Sequence, residues 1–147
     1  MHCVYFPPPL SCDKVLSVLR SLPLTRDTIL CGDFNARLGT LTGDAIRNSR
    51  GVALTPWIEE SNMSVLNATL AHGVKTFLTF RNQLEQGSII DLIMTNIGES
   101  ALVNPQLVVE SDLSLGSDHR LMALSFGHVP PSGDVVVSGD SALAPRR

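Results

Sequence analysis

Positive charge does not predominate in this sequence: 11 Lys and Arg stand against 14 Asp and Glu, for a net charge of −3 and a pI near 5.7. Without a basic tail or patch, nucleic acid cannot be gripped through charge alone, so any contact with DNA must be local. No apolar stretch approaches the roughly 20 residues that a membrane-spanning helix requires. The most hydrophobic segment, Ser88 to Asn96, is interrupted by Asp91. Met1 to Pro9 lacks the basic region and the apolar block of about 7–15 residues that mark a secretory signal, and nothing points to export. Cysteine is confined to Cys3, Cys12 and Cys31, an odd number spaced too widely for paired zinc ligands, so buried reduced thiols are expected. A P-loop, a dinucleotide fingerprint, a Gly-x-Ser-x-Gly elbow, a His-Glu-x-x-His motif and internal repeats are all absent.

What is present suits one globular domain. The composition is 44% hydrophobic and 17% charged, with a mean hydropathy of +0.18, enough to bury a core. Val4 to Phe6 reads as a short strand ended by Pro7-Pro8-Pro9, with Tyr5 at its end. Ser11 is placed to cap a helix carrying Val15, Val18, Leu19 and Leu22 and stopped by Pro23. Thr28 to Asn35 reads as a buried strand, Arg37 to Arg50 as a loop, and about Gly51 to Asn62 as a helix with Leu54, Trp57 and Ile58 on one face. Further strands are expected at Ser64 to Asn67, Thr76 to Phe80, Ser88 to Thr95, Val103 to Glu110 and Leu121 to Phe126, with a polar loop at Arg81 to Gly87. Residues 1–129 form the expected domain, and 130–147, rich in Pro, Gly, Ser and Asp without periodicity, a flexible tail or linker. Alternating elements in the first half and strands in the second predict an α/β class with a mixed sheet.

The polar residues cluster by position. Asp33 and Asn35 lie two apart at the end of an apolar strand, where period-2 alternation points both to one face and turns Phe34 to the other. A carboxylate and an amide projecting together suit hard-cation and phosphate-oxygen chemistry, although the same residue types also cap turns. Asp91 sits inside Ser-Ile-Ile-Asp-Leu-Ile-Met, and a buried carboxylate there costs several kcal/mol unless a donor meets it. His119, after Asp118 in Ser-Asp-His, is the natural donor; Asp91 would then fix the imidazole tautomer and leave the other nitrogen for substrate, the alternatives being an Asp91 that caps a nearby backbone turn and a structural His119. Arg37, Arg47 and Arg50 either meet a phosphate backbone or form a solvated loop face.

Tyr5-Phe6-Pro7-Pro8, Gly32-Asp33-Phe34-Asn35, Thr79-Phe80, Ser88-Ile89-Ile90-Asp91 and Ser117-Asp118-His119, in this order, resemble the endonuclease/exonuclease/phosphatase superfamily over about Val4 to Phe126. Asn35-Ala36-Arg37-Leu38-Gly39, Arg50-Gly51 and Val65-Leu66-Asn67 make the resemblance greatest to the endonucleases of non-LTR retrotransposons. The resemblance implies the C-terminal part of a two-sheet α/β sandwich and a Mg²⁺- or Mn²⁺-assisted phosphodiester hydrolysis. It also implies roles. Asp33 would orient or activate the attacking water, Asn35 would hold the scissile phosphate, and His119, oriented by Asp91, would stabilise or protonate the phosphorane. Tyr5 would hydrogen-bond a phosphate oxygen, Thr79 would support the site or contact the substrate backbone, and Asp118 would contribute to the metal site; Arg37 is the loop arginine expected to contact substrate.

The family's main metal-binding Glu and an earlier active-site Asn belong to strands that precede the Tyr-bearing one. No Glu of this chain matches that ligand, so the resemblance implies a domain truncated here and of impaired or no activity. DNA is the implied substrate, with the N-terminal half of the domain or a reverse transcriptase in a longer product as partner, an intracellular and for a retroelement nuclear location, and no membrane. A non-catalytic remnant and a phosphatase acting on a phosphoinositide or other small phosphoester are the alternatives.

Overall fold

The computed structural model describes residues 1–110, 112 and 116–129; the tail expected at 130–147 lies outside them. A four-stranded sheet is assembled in the order β1-β2-β6-β3 from β1 (His2–Tyr5), β2 (Ile29–Asp33), β3 (Ser64–Val65) and β6 (Asp91–Thr95). β1 runs parallel to β2, and β6 runs antiparallel to both β2 and β3. The parallel pair is joined through α1 (Cys12–Ser21), whose N-cap Ser11 accepts the Lys14 N–H and which buries Val15 and Leu19. A second helix, α2 (Ser49–Glu60), buries Leu54, Trp57 and Ile58. Both helices pack on the sheet face that carries Leu30, Leu92 and Met94, where Phe34 is fully buried and meets Phe6 edge to face at 5.7 Å.

The opposite sheet face, with Ile29, Cys31 and Ile93, is covered by the short helix α3 (Leu66–Leu70) and by an antiparallel pair, β7 (Leu102–Glu110) and β8 (Leu121–His128), through Leu107, Val109, Met122 and Leu124. A separate hairpin, β4 (Phe77–Arg81) and β5 (Leu84–Ser88), stands beside the sheet. Among the described residues no helix is long and apolar enough to cross a membrane.

Gly32 is required by the close approach of β1 and β2. Its φ is +140°, and a Cβ there would stand 1.9 Å from the Val4 carbonyl oxygen.

Several sequence expectations are corrected. The polar stretch after Phe80 is not a loop, because Asn82 and Gln83 at φ 51° and 65° form a two-residue turn that folds Leu84–Ser88 back onto β4. Asn-Gln lacks the glycine that usually announces such a turn. The apolar run from Ser88 to Thr95 is two strands, not one: the Ile89 N–H is taken by Asp44 Oδ2 and the Ile90 N–H by Thr76 Oγ1, so side chains replace ladder partners between β5 and β6. The strand expected at Ser64 to Asn67 ends at Val65, where α3 begins. The cysteines are free thiols as expected but not buried, since Cys3 is exposed and Cys12 and Cys31 are half-buried.

Candidate functional site

Two carboxylates meet across the β2–β6 ladder, where Asp33 and Asp91 are direct register partners. His119 enters from the segment before β8, bridged to Phe77 at the root of the β4–β5 hairpin, whose ring packs edge-on against the imidazole at 5.0 Å. The imidazole Nδ1 lies 3.0 Å from both Oδ1 and Oδ2 of Asp91. A carboxylate only accepts, so Nδ1 carries a proton, and Nε2 is turned toward Asp33, 3.9 Å from its Oδ2. The His119 side chain is 38% exposed, open to an incoming ligand.

Asn35 joins this group by a different route from strand alternation. β2 ends at Asp33, and Asn35 has a left-handed φ of 47°. A turn brings it back: its N–H donates to Asp33 Oδ1 at 2.8 Å, and its amide nitrogen donates to Asp33 Oδ2 and to the Phe6 carbonyl, each at 3.1 Å. The Asx-turn geometry and the clustering at one site are thus both present.

Burial pushes the Asp33 carboxyl above its ordinary range, and the Asp91 charge adds to this, against the opposing pull of the Asn35 N–H, His119 and Arg50. A like-charge pair held in register gains from any cation placed between its members. One ligand atom each from Asp33, Asp91 and His119 lies within 4.8 Å of the others. Two carboxylates with positions left for water and phosphate fit a divalent ion such as Mg²⁺.

The remaining expected residues are placed as follows. Tyr5 is 66% exposed and is the β1 register partner of Asp33. Thr79 is exposed on β4 opposite Gln86. Asp118 is exposed, stands outside the Asp33, Asp91 and His119 group, and its carbonyl accepts the Leu78 N–H. Arg37 forms an ion pair with the buried Asp44. Arg47 donates to Thr55 Oγ1. Arg50 is neither solvated nor at a loop surface: it is 6% exposed.

Three supporting residues were assigned no role from the sequence, although Asn67 belongs to the Val65-Leu66-Asn67 run. Thr76, fully buried, accepts the N–H groups of Ile90 and Asp91 on its hydroxyl, and its carbonyl accepts the Arg120 N–H, so one residue ties the Asp91 strand to the His119 segment. Asn67 donates to the Asp91 carbonyl and accepts the Ile93 N–H. Burial opposes ionisation of Asp44, but Arg37 and the N–H groups of Ile46 and Ile89 outweigh it and hold the carboxyl below its ordinary range. A buried polar residue declares itself only through its partners, and most of these lie 14 to 45 positions away.

The sequence profile of the endonuclease-reverse transcriptase family matches residues 1–123. The solved endonuclease domain of TRAS1, a telomere-specific non-LTR retrotransposon, superimposes with a TM-score of 0.63 at 26% identity over 83% of this chain. The chain spans 54% of that domain, about half its length. No curated protein matches this sequence.

Proposed function

Because this chain belongs to the endonuclease-reverse transcriptase family, we propose that it carries the hydrolytic half of a metal-dependent DNA endonuclease of a retroelement. The observation that carries the reading is the line Asp91, His119, Asp33, in which one carboxylate orients an imidazole whose free nitrogen faces a second carboxylate with a raised pKa. The phosphodiester docks on the exposed side of His119 and Asp33, since the 3.9 Å between Nε2 and Oδ2 leaves no room for it between them. Asp33, ionised, orients and deprotonates the attacking water, in a position held by Asn35. Asp91 keeps the Nδ1 proton in place and stabilises the imidazolium, so that Nε2 donates to the phosphoryl oxygen as charge builds there. A Mg²⁺ or Mn²⁺ ion held by Asp33 and Asp91 would neutralise charge on the phosphate. No covalent enzyme intermediate is required.

An extended substrate is favoured over a small phosphoester by the β4–β5 hairpin. It rests on His119 through Phe77, and the same face of the ladder continues through the exposed Thr79, Arg81 and Leu84, a ridge longer than a single phosphate group needs. Since the chain spans about half of the TRAS1 domain, the activity, substrate and partners of the whole domain are part of this proposal, as is impaired turnover by the 147 residues alone.

The test is nicking of supercoiled plasmid, with Mg²⁺ and with EDTA, by the retroelement product that contains this chain, alongside release of phosphate from a phosphoinositide. Mg²⁺-dependent nicking that falls about 10²–10⁴-fold in His119→Ala and in Asp91→Asn supports the proposal. Nicking indifferent to His119→Ala, or turnover of the phosphoinositide alone, overturns it.

A further inference from the structure

Arg50 is a buried cation with no anion in contact, although it lies near enough to Asp33 to favour that carboxylate's ionised form. It is 6% exposed, and among the described residues no ion pair involves it. Its guanidinium ends entirely on main-chain carbonyls: Nη1 donates to Phe6 O and Phe34 O, both at 3.0 Å, and Nη2 donates to Pro7 O at 3.0 Å, Pro8 O at 3.1 Å and Leu10 O at 2.6 Å. Burying a charge without a counter-charge in contact costs several kcal/mol before such dipoles offset it. An apolar residue of similar volume would fill the space between α2 and the sheet without that cost. What the guanidinium does that an apolar chain cannot is fix the direction of five carbonyl groups at once.

Two of these carbonyls border the site. The Phe34 carbonyl belongs to the peptide that leads into Asn35, and the Phe6 carbonyl is the same oxygen that receives the Asn35 amide. Arg50 therefore holds the backbone entering Asn35 and the oxygen on which its side chain rests.

The rest of the first turn of α2 presses on Asn35 and Arg37, just after Phe34. Asn48, the α2 N-cap, donates to the Asn35 carbonyl at 3.0 Å and accepts the Arg37 N–H at 3.0 Å. Gly51 lies so close that a Cβ would stand 1.9 Å from the Arg37 carbonyl oxygen. A left-handed asparagine is uncommon and persists where its surroundings determine it. Besides its two bonds to Asp33, Asn35 is held by Asn48 through its carbonyl and by the Phe6 oxygen that Arg50 also holds.

We infer that Arg50 is a positioning residue for hydrolysis: acting through the Phe6 and Phe34 carbonyls, it holds the Asp33–Asn35 turn in its working geometry without touching the substrate. This rests on the proposed function for its catalytic meaning, while the structural coupling stands by itself. It replaces both sequence readings of Arg50, a phosphate contact and a solvated face.

The experiment compares Arg50→Met, which removes all five bonds, with Arg50→Lys, which keeps the charge but has at most three donors. The readout is hydrogen exchange of the Asn35 side-chain amide in the ¹⁵N-labelled chain, assigned by its loss in Asn35→Ser. The buried Asn67 amide, which bonds Asp91 O on the far side of the sheet, is the internal reference. Exchange at Asn35 is expected to rise at least about 10-fold in Arg50→Met and less in Arg50→Lys, with Asn67 unchanged, the level of loosening that a lost positioning contact implies. An Asn35 amide that exchanges as in the parent overturns the inference. So does a parallel rise at Asn67, or failure of both variants to fold, since either assigns Arg50 to general stability. If Arg50→Met alone fails to fold, the same comparison in Arg50→Lys decides. In the nuclease, Arg50→Lys is expected to lower kcat about 10–100-fold with KM unchanged. A parent protein that does not nick DNA refutes the proposed function and leaves the exchange result standing.

Discussion

Replacing Thr76 by valine keeps the shape of the side chain and removes one oxygen, yet that oxygen accepts two N–H groups, from Ile90 at 3.1 Å and from Asp91 at 3.0 Å. Valine leaves both donors without an acceptor. An unsatisfied buried donor costs about 1–3 kcal/mol. Ile90 is buried and Asp91 half-buried, so the full cost at the first and a reduced one at the second sum to about 2–4 kcal/mol. Thr76→Ser is the control, since it keeps the hydroxyl and loses one buried methyl, for about 1 kcal/mol. Urea unfolding followed by the fluorescence of Trp57, the single tryptophan and 2% exposed, measures both. Because the Thr76 carbonyl still receives the Arg120 N–H, the His119 segment stays tethered while the start of β6 loosens. The shift of the His119 imidazole signals should therefore change in Thr76→Val and not in Thr76→Ser. If valine costs no more than serine, the hydroxyl is not the link between Thr76 and the Asp91 strand, and the reasoning fails.

Other outcomes follow from the same contacts. Gly32→Ala drives a methyl group into the Val4 carbonyl oxygen at a φ of +140°, so β1 must separate from β2; a loss of at least about 3 kcal/mol is expected, with hydrogen-exchange protection of Leu30 to Gly32 falling first. The Asp44 carboxyl is held below its unfolded pKa of about 3.9, so the unfolded chain binds more protons near that pH. Its contribution is fully present above about pH 4 to 5 and disappears as pH falls through the folded value, which Asp44→Asn should abolish in a series of urea midpoints from about pH 2 to 6. Asp33 has the opposite sign, because its raised pKa makes ionisation in the folded state costly; Asp33→Asn should increase stability above that pKa and have little effect below about pH 4.

Local chemistry wrote much of this protein into its sequence. Ser11 before an apolar helical stripe, Pro23 after it, and Leu54, Trp57 and Ile58 on one face require nothing beyond their neighbours, and α1 and α2 formed within two residues of expectation at most ends. The need of a carboxylate inside an apolar run for a donor and the suitability of His119 also follow from residue chemistry, and the half-buried Asp91 meets His119 at 3.0 Å. Tertiary structure decided where a residue's partner lies far away or where pairing creates the element. β5 is a strand only because Asn82 and Gln83 turn it onto β4, and β6 begins at Asp91 only because Asp44 and Thr76 take the N–H groups before it. Arginine illustrates the division most sharply. In a loop rich in Gly, Thr and Asn, Arg37, Arg47 and Arg50 look alike, but three-dimensional packing gives one a buried aspartate, one a threonine, and one a ring of five carbonyls behind the candidate site. Sequence determined which residues have the chemistry, because that resides in each side chain; the fold decided which of them share a site, because buried polar groups are satisfied by whatever partner the packed chain brings within hydrogen-bond distance.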